Sequence, residues 1–301
     1  MDGIDHGPLR YYPAADGARL AYRVHHCGMR DAPALVMVHG VASNSTRFSE
    51  LSSQLRLRGT WDLLRPDLRG HGASMHRGRL TRELWCGDLL ALLDAEGHER
   101  AVFLGHSLGA QVIMDLAVAH PARVRGLILV DPVFPGALRG MLGLVRRLGP
   151  LNRLVIALLA AAQRLDIGKR SFPYRDLAAL DARTRELLRR NEAEHIGRLY
   201  MNPRADLRYL PLRNYLQDLR EVVRPVPDPS RIRVPVLVLR SAGASVSDRD
   251  AVAGQVARFP LGRHVDIDAD HWLLTERPVE ARHAIEHWCE QLIGETPPSP
   301  V

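Results

Sequence analysis

A serine flanked by two glycines is the part of this sequence best suited to chemistry. Residues 105–109 read Gly-His-Ser-Leu-Gly; they follow an apolar run at 101–104 and open a stretch with helical spacing. A sharp turn from a strand into a helix lifts the serine hydroxyl above the sheet, and glycines relieve the crowding beside it. The pattern therefore predicts that Ser107 is a nucleophile. The alternative is a glycine-rich turn in which the serine only caps the helix.

A nucleophilic serine needs a base, because a neutral hydroxyl attacks carbonyl carbon poorly. The chain has 14 histidines, of which His271 is distinguished by its position. It follows the last strand-like run, 264–267, and precedes the final helical segment, 279–293. A triad histidine belongs at that point in such a chain order. We expect His271 to be the general base and the adjacent Trp272 to contact the substrate.

Acyl transfer also needs two backbone N–H groups directed at the oxyanion of the tetrahedral intermediate. The residue after the nucleophile, Leu108, would supply one of them. The second would come from Val41, because residues 39–41 close the apolar run at 34–38 and reach the same edge of the sheet. We expect His39, Gly40 and His106 to help form the substrate-binding surface.

Three aspartates compete for the role of triad acid. Asp131 directly follows the apolar run at 126–130, at the carboxyl edge of the expected sheet, where ligands bind. Asp248 and Asp250 stand at what resembles a helix N-terminus, where carboxylates are favoured as caps. We favour Asp131 as the carboxylate that orients His271 and keep Asp248 as the alternative.

The order of strand-like and helical segments predicts how these residues are held. Runs at 34–38, 61–65, 101–104 and 126–130 alternate with helical patterns, and further runs follow at 234–239 and 264–267. Such alternation predicts a mostly parallel, doubly wound α/β sheet. Residues 135–229 show no strand pattern. The expected organisation is a discontinuous core, 1–134 and 230–301, with a helical cap inserted at 135–229.

Composition narrows the classes of partner. The 301 residues are 46% hydrophobic and carry a net charge of +7, but the arginines are scattered, so no nucleic-acid partner is expected. Three long-spaced cysteines suggest neither a disulfide framework nor a metal site, and no cofactor is expected. Neither a leader-like N-terminus nor an apolar run of membrane-spanning length is present, which favours the cytoplasm. The sequence leaves the oligomeric state open.

Four motifs in this order resemble the α/β-hydrolase superfamily. They are His39-Gly40, the loop 67–74 with its Asp-x-Arg-Gly-His-Gly-x-Ser pattern, the serine turn and the late His271. The resemblance implies a capped serine hydrolase of esterase or lipase type, in which we expect the loop 67–74 to be structural. The family's acid usually follows the strand equivalent to 236–239, yet residues 240–246 hold no acid. Some members place it after the preceding strand, where this chain has Asp131.

The expected reaction is cleavage of a carboxylic ester through an acyl-enzyme on Ser107. A thioesterase, a C–C bond hydrolase or an acyltransferase would use the same residues, and a ligand-binding protein without catalysis is the alternative of another class. Leucines recur with near-helical spacing through 138–148, including Leu142. One interpretation of this stripe is a helix that packs on the core. The other is that part of it lines an apolar pocket for a small acyl substrate and brings the cap into contact with lipid surfaces.

Overall fold

The computed structural model describes residues 6–134, 136, 140–190, 199–200, 202–243 and 249–294. Eight strands form one sheet in the order β1-β2-β4-β3-β5-β6-β7-β8. β2 is antiparallel to both of its neighbours, and the pairs from β4 to β8 are parallel. The strands are β1 (Leu9–Pro13), β2 (Arg19–His25), β3 (Ala34–Val38), β4 (Asp62–Pro66), β5 (Ala101–His106), β6 (Val124–Val130), β7 (Val236–Ser241) and β8 (Gly262–Ile267).

Helices cover both faces of this sheet. They are α1 (Ser49–Gln54), α2 (Arg82–Ala95), α3 (Leu108–Ala119), α4 (Gly140–Arg147), α5 (Gly149–Arg164), α6 (Leu177–Arg189), α7 (Pro203–Asp206), α8 (Leu212–Val223), α9 (Arg249–Val256), α10 (Leu273–Glu276) and α11 (Pro278–Gly294). Val36 and Val38 of β3 face α2, α3 and α9, whereas Leu35 and Met37 face α11. Burial on both sides explains why the parallel strands are continuous apolar runs.

The predicted fold class is confirmed. All six expected strands are present, with ends shifted by at most two residues. The described residues between β6 and β7 contain helices α4 to α8 and no strand, as expected for an inserted cap. The helix expected from Asp181 begins earlier, at Leu177, because the Asp176 side chain accepts a hydrogen bond from Ala179 N and caps it there.

Two antiparallel strands, β1 and β2, were not predicted. They form one margin of the sheet, where β1 pairs with β2 alone and most of its residues stay accessible. Charged residues interrupt the apolar and aromatic ones in both, so they lack the unbroken apolar runs of the central strands. Strands of this kind carry a weak sequence signal because only part of their surface faces the core.

The chain reverses its direction of winding around β3. β4 lies on one side of β3 and β5 on the other, so the loops after β3 and β5 diverge at the carboxyl edge. Open α/β sheets bind ligands in the crevice that opens at such a point. The loop after β3 begins with His39 and Gly40, and the turn after β5 contains Ser107.

Among the described residues, no helix is long and apolar enough to cross a bilayer.

Candidate active site

Ser107 occupies a strained turn between β5 and α3. Its backbone has φ of 54° and ψ of −115°, a conformation that costs a non-glycine residue on the order of 1–3 kcal/mol. A Cβ on Gly105 would lie 2.5 Å from the carbonyl of Gly109, and one on Gly109 would lie 2.2 Å from Val38 O. The two glycines are therefore required by the close approach of β3, β5 and α3. The sequence pattern indicated this turn, and the structure shows its geometry.

Gly109→Ala should accordingly destabilise the protein and impair the site. The added methyl group has backbone on its far side, so the elbow must shift, at a cost of about 1–3 kcal/mol or more in free energy of unfolding. Gly87→Ala is the matched control, because Gly87 lies in α2 with no atom within 4 Å of an added Cβ. There alanine should stabilise by roughly 0.5–1 kcal/mol. Urea unfolding of both variants tests this; equal effects would contradict it.

His271 lies in the loop between β8 and α10, against the turn that holds Ser107. The ring of His106 packs 4.9 Å from the ring of His271, and His106 Nε2 donates a hydrogen bond of 3.0 Å to His271 O. Burial, followed by the electrostatic effect of the neighbouring His271, lowers the pKa of His106 to about 3. A neutral His106 can keep donating this hydrogen bond, so it holds the His271 loop beside the turn that contains Ser107.

Asp131 is buried directly after β6 and contacts His271. The Asp131 Oδ2 to His271 Nδ1 distance is 2.5 Å, while Oδ1 accepts hydrogen bonds from Ser241 N (3.1 Å) and Ser241 Oγ (2.8 Å). Burial opposes ionisation, but the hydrogen bonds from His271 and Ser241 outweigh it and hold the Asp131 pKa below its ordinary value. The carboxylate is thus ionised and directed at one ring nitrogen.

Of the other two acid candidates, Asp250 alone lies among the described residues. Asp250 lies in the first turn of α9, where a carboxylate interacts favourably with the helix N-terminus. Asp248 lies outside the described residues. Ser241, which the sequence reasoning missed, ends β7 one strand away from Asp131. It lies near the position where the family usually has its acid, and here it donates to the acid of the neighbouring strand instead.

The loop after β3 comes close to Ser107 through its backbone. A Cβ on Gly40 would lie 3.2 Å from Ser107 Cβ and 3.1 Å from His106 O. His39 is fully buried; its Nδ1 donates to Gly40 O (2.9 Å) and its Nε2 accepts from Leu68 N (3.0 Å). Burial and the nearby His71 keep the pKa of His39 well below its ordinary value. The neutral imidazole therefore holds the loop, while the backbone at Gly40 faces Ser107.

The Asp-x-Arg-Gly-His-Gly-x-Ser loop, residues 67–74, is hydrogen-bonded to the loop after β3. Asp67 accepts hydrogen bonds from Ser45 N (2.7 Å) and Ala73 N (2.8 Å), as expected for a side chain that satisfies loop backbone. The Arg69 side chain bonds to carboxylates and not to the loop backbone. It forms ion pairs with Asp88 and Asp16, each with a closest distance of 2.6 Å, because a buried guanidinium needs carboxylate partners.

The cap meets this loop through a buried histidine. His71 Nε2 lies 2.8 Å from Asp218 Oδ2 on α8. Burial of the imidazole would lower its pKa, but the charge and hydrogen bond of Asp218 raise it above the ordinary value. The pair therefore joins the core loop to the helical insertion by a charge-assisted hydrogen bond.

A second contact between core and cap lies beside Trp272. The Tyr200 ring stacks on Trp272 at 4.8 Å, and Trp272 packs edge-on against His271 at 5.3 Å. The Tyr200 hydroxyl donates to Asp181 Oδ1 (2.6 Å), which also pairs with Arg47. Sequence reasoning missed Arg47, Asp181 and Tyr200, since they are far apart in the chain and belong to no motif. Trp272 thus lies between the expected base and the cap.

The remaining predicted residues can be placed in part. Leu108 is fully buried in the first turn of α3, and Val41 is half-buried in the loop after β3. Leu142 lies on α4, but its side chain is outside the described residues. Among the described residues, no cluster of histidine, cysteine, aspartate and glutamate could hold a metal ion. Cys27, Cys86 and Cys289 are free thiols.

Known proteins share this fold and parts of this sequence. Lipase LipV of Mycobacterium tuberculosis is 35% identical over 135 residues, 44% of this chain and 47% of that protein. An sn-1-specific diacylglycerol lipase of Danio rerio is 33% identical over 117 residues, 39% of this chain and 37% of that protein. These matches thus span less than half of the length of each curated relative.

The similarity in structure extends over the whole described fold. The crystal structure of a hydrolase from Pseudomonas aeruginosa covers 96% of this chain and 99% of its own, with 25% identity and a TM-score of 0.66. The sequence model of the alpha/beta hydrolase family matches residues 35–284, which include the serine turn, Asp131 and His271. This chain therefore belongs to the alpha/beta hydrolase family.

Proposed function

We propose that this protein is a serine esterase in which Ser107, His271 and Asp131 form the catalytic triad. One observation carries the proposal: a buried, ionised Asp131 is hydrogen-bonded to His271 Nδ1 beside a serine on a strained turn. A carboxylate, an imidazole and a serine hydroxyl are the groups needed for nucleophilic acyl transfer. A protein that only binds a ligand would have no need of this combination.

The reaction proceeds in two steps. As Ser107 Oγ attacks the ester carbonyl, His271 Nε2 takes its proton, and Asp131 stabilises the imidazolium that forms. His271 then returns the proton to the leaving alkoxide, which departs as an alcohol and leaves an acyl-enzyme. In the second step water loses a proton to His271 and attacks the acyl carbon. Collapse of that intermediate returns the proton to Ser107 and releases the carboxylic acid.

Backbone N–H groups stabilise the oxyanion in both steps. Leu108 donates from the first turn of α3, whose N-terminus also directs positive potential at the site. Val41 donates from the opposite side, and the close approach of Gly40 to Ser107 supports that assignment. Asp248 then has no part in the triad.

We propose an apolar acyl group as the substrate's distinguishing part. Leu210, Tyr215 and Leu219 of the insertion form an apolar cluster against Val41 and Ala42, so apolar surface from 135–229 extends to the proposed oxyanion loop. This contact supports residues 135–229 as a cap on the core formed by 1–134 and 230–301. The names of the two curated relatives, both lipases, favour an ester over a thioester or a C–C bond.

Nitrophenyl esters of graded chain length test the proposed activity and its substrate. We expect hydrolysis, with kcat/KM rising from acetate to medium-chain esters, because each buried methylene contributes about 0.8 kcal/mol, or roughly fourfold in rate. The measurement is kcat/KM for each ester. A strict preference for acetate would contradict the apolar acyl site, whereas no turnover of any ester would contradict the esterase itself.

A further inference from the structure

Helix α5 exposes a row of large apolar side chains. Leu151, Leu154 and Leu158 recur at spacings of three and four, so they share one side of the helix. Leu148, Leu165 and Ile167 extend the row beyond its two ends. These six residues, named here the α5 leucine face, are between 44% and 74% exposed. Single exposed leucines are ordinary, but a contiguous row of this length indicates a surface that something covers.

The opposite side of α5 holds the helix onto the protein. Ile156 is buried there, Asn152 Nδ2 donates to Leu216 O of α8 (3.4 Å), and Gln163 Oε1 accepts from Arg213 Nη1 (2.9 Å). Packing against α8 therefore uses residues other than the α5 leucine face. The row is directed away from the described part of the body, and the packing of the described residues does not account for it.

The charges around this row are mostly positive. Residues 140–170 contain six basic residues and a single acid, Asp166, which forms an ion pair with Arg170. The exposed Arg147, Arg153 and Arg164 lie on the same helical pair as the leucines. A second copy of this chain packed on the row would bring these like charges together, at a cost in free energy. A bilayer with anionic headgroups complements both the leucines and the arginines.

Helix α4, which precedes α5, connects the α5 leucine face to the proposed site. It contributes Val145 to the apolar cluster that contains Leu210, Tyr215 and Val41. Only one helix of the chain therefore separates the start of α5 from the cluster that packs on the loop proposed to form the oxyanion hole.

We propose that the α5 leucine face docks this protein onto lipid bilayers that carry anionic headgroups. The leucines enter the boundary between headgroups and acyl chains, and the arginines contact the headgroup phosphates. The further consequence, that acyl substrate reaches Ser107 from the bilayer, depends on the proposed esterase activity. The docking itself does not.

Flotation with vesicles tests the docking without any substrate. We expect the whole protein to float with vesicles of equal parts phosphatidylcholine and phosphatidylglycerol, and much less with phosphatidylcholine alone. Leu151→Gln/Leu154→Gln/Leu158→Gln should lower binding by about tenfold or more. The matched control, Met29→Gln/Leu261→Gln, replaces side chains that are 55% and 54% exposed elsewhere on the surface and should leave binding unchanged.

Charge reversal tests the choice of lipid. Arg153→Glu/Arg164→Glu should remove the preference for phosphatidylglycerol vesicles, since each surface arginine contributes attraction to an anionic leaflet. Arg100→Glu, an exposed arginine of the core, is its control. Circular dichroism and thermal melting of each variant establish that it is folded.

Each result supports or overturns the docking. Absence of flotation by the wild-type protein overturns it, as does equal loss in the leucine variant and its control. A wild-type dimer that the leucine variant dissociates, seen by light scattering, assigns the row to a second copy and overturns it too. The leucine variant should still hydrolyse a short water-soluble ester at the wild-type rate. Flotation without esterase activity would leave the docking intact and remove the proposed function alone.

Discussion

Ser107→Ala should leave a folded protein that has lost nearly all esterase activity. Removing the nucleophile from a triad typically lowers turnover by about 10⁴–10⁶-fold, because no other group can form the acyl-enzyme. The substitution deletes one half-buried hydroxyl and no apolar bulk, so the free energy of unfolding should change little. Initial rates with a nitrophenyl ester, together with thermal melting, measure both effects.

A serine away from the site serves as the control for this substitution. Ser53 is exposed on α1, and Ser53→Ala should keep wild-type turnover and stability. If purified Ser107→Ala retained more than about a tenth of the wild-type activity, another residue would have to be the nucleophile.

Asp131→Asn is expected to lower kcat by about 10³–10⁴-fold while the protein stays folded. Asparagine keeps the shape of the side chain, but it cannot carry the charge that stabilises the imidazolium, and its amide can present a donor to His271 Nδ1. The ring would then be held in the wrong tautomer for a base at Nε2. The measurement is kcat at saturating ester, with the variant and wild type compared over the same pH range.

Two further variants test whether the effect on kcat comes from the charge of Asp131 and not from its hydrogen bond with Ser241 or from Asp248. Ser241→Ala removes one hydrogen bond of 2.8 Å to Asp131 but leaves its charge and its contact with His271 in place, so the loss in kcat should be far smaller. Asp248→Asn should cost at most a helix cap, about 1 kcal/mol of stability, and little rate. If Asp248→Asn were inactive and Asp131→Asn nearly normal, the triad acid would be Asp248, which follows the strand that usually bears it in this family.

The serine turn could be recognised from sequence because its constraints are local. A side chain at Gly105 or Gly109 would collide with the backbone of the turn itself or of β3. The five-residue pattern is therefore enough to indicate the shape of the turn. The parallel strands could also be predicted from the sequence, because burial on both faces makes each of them a continuous apolar run. Fold class and the position of the candidate nucleophile therefore followed from short segments.

The surroundings of His271 could not be obtained in that way. Arg47, Asp181, Tyr200 and Trp272 come together only when the insertion packs on the core, and none of them has a characteristic spacing with another. The choice among Asp131, Asp248 and Asp250 also depended on which strand end meets the His271 loop. Such contacts are set by tertiary packing, on which periodicity and local propensity carry little information.

Covalent labelling with a fluorophosphonate probe tests the central claim most directly, because the probe reacts with serines activated by a neighbouring base. The wild-type protein should gain one adduct, which peptide mass spectrometry should locate on Ser107. Ser107→Ala should gain none, and Asp131→Asn should label far more slowly. An unlabelled, folded wild-type protein, or an adduct on a different serine, would contradict the account.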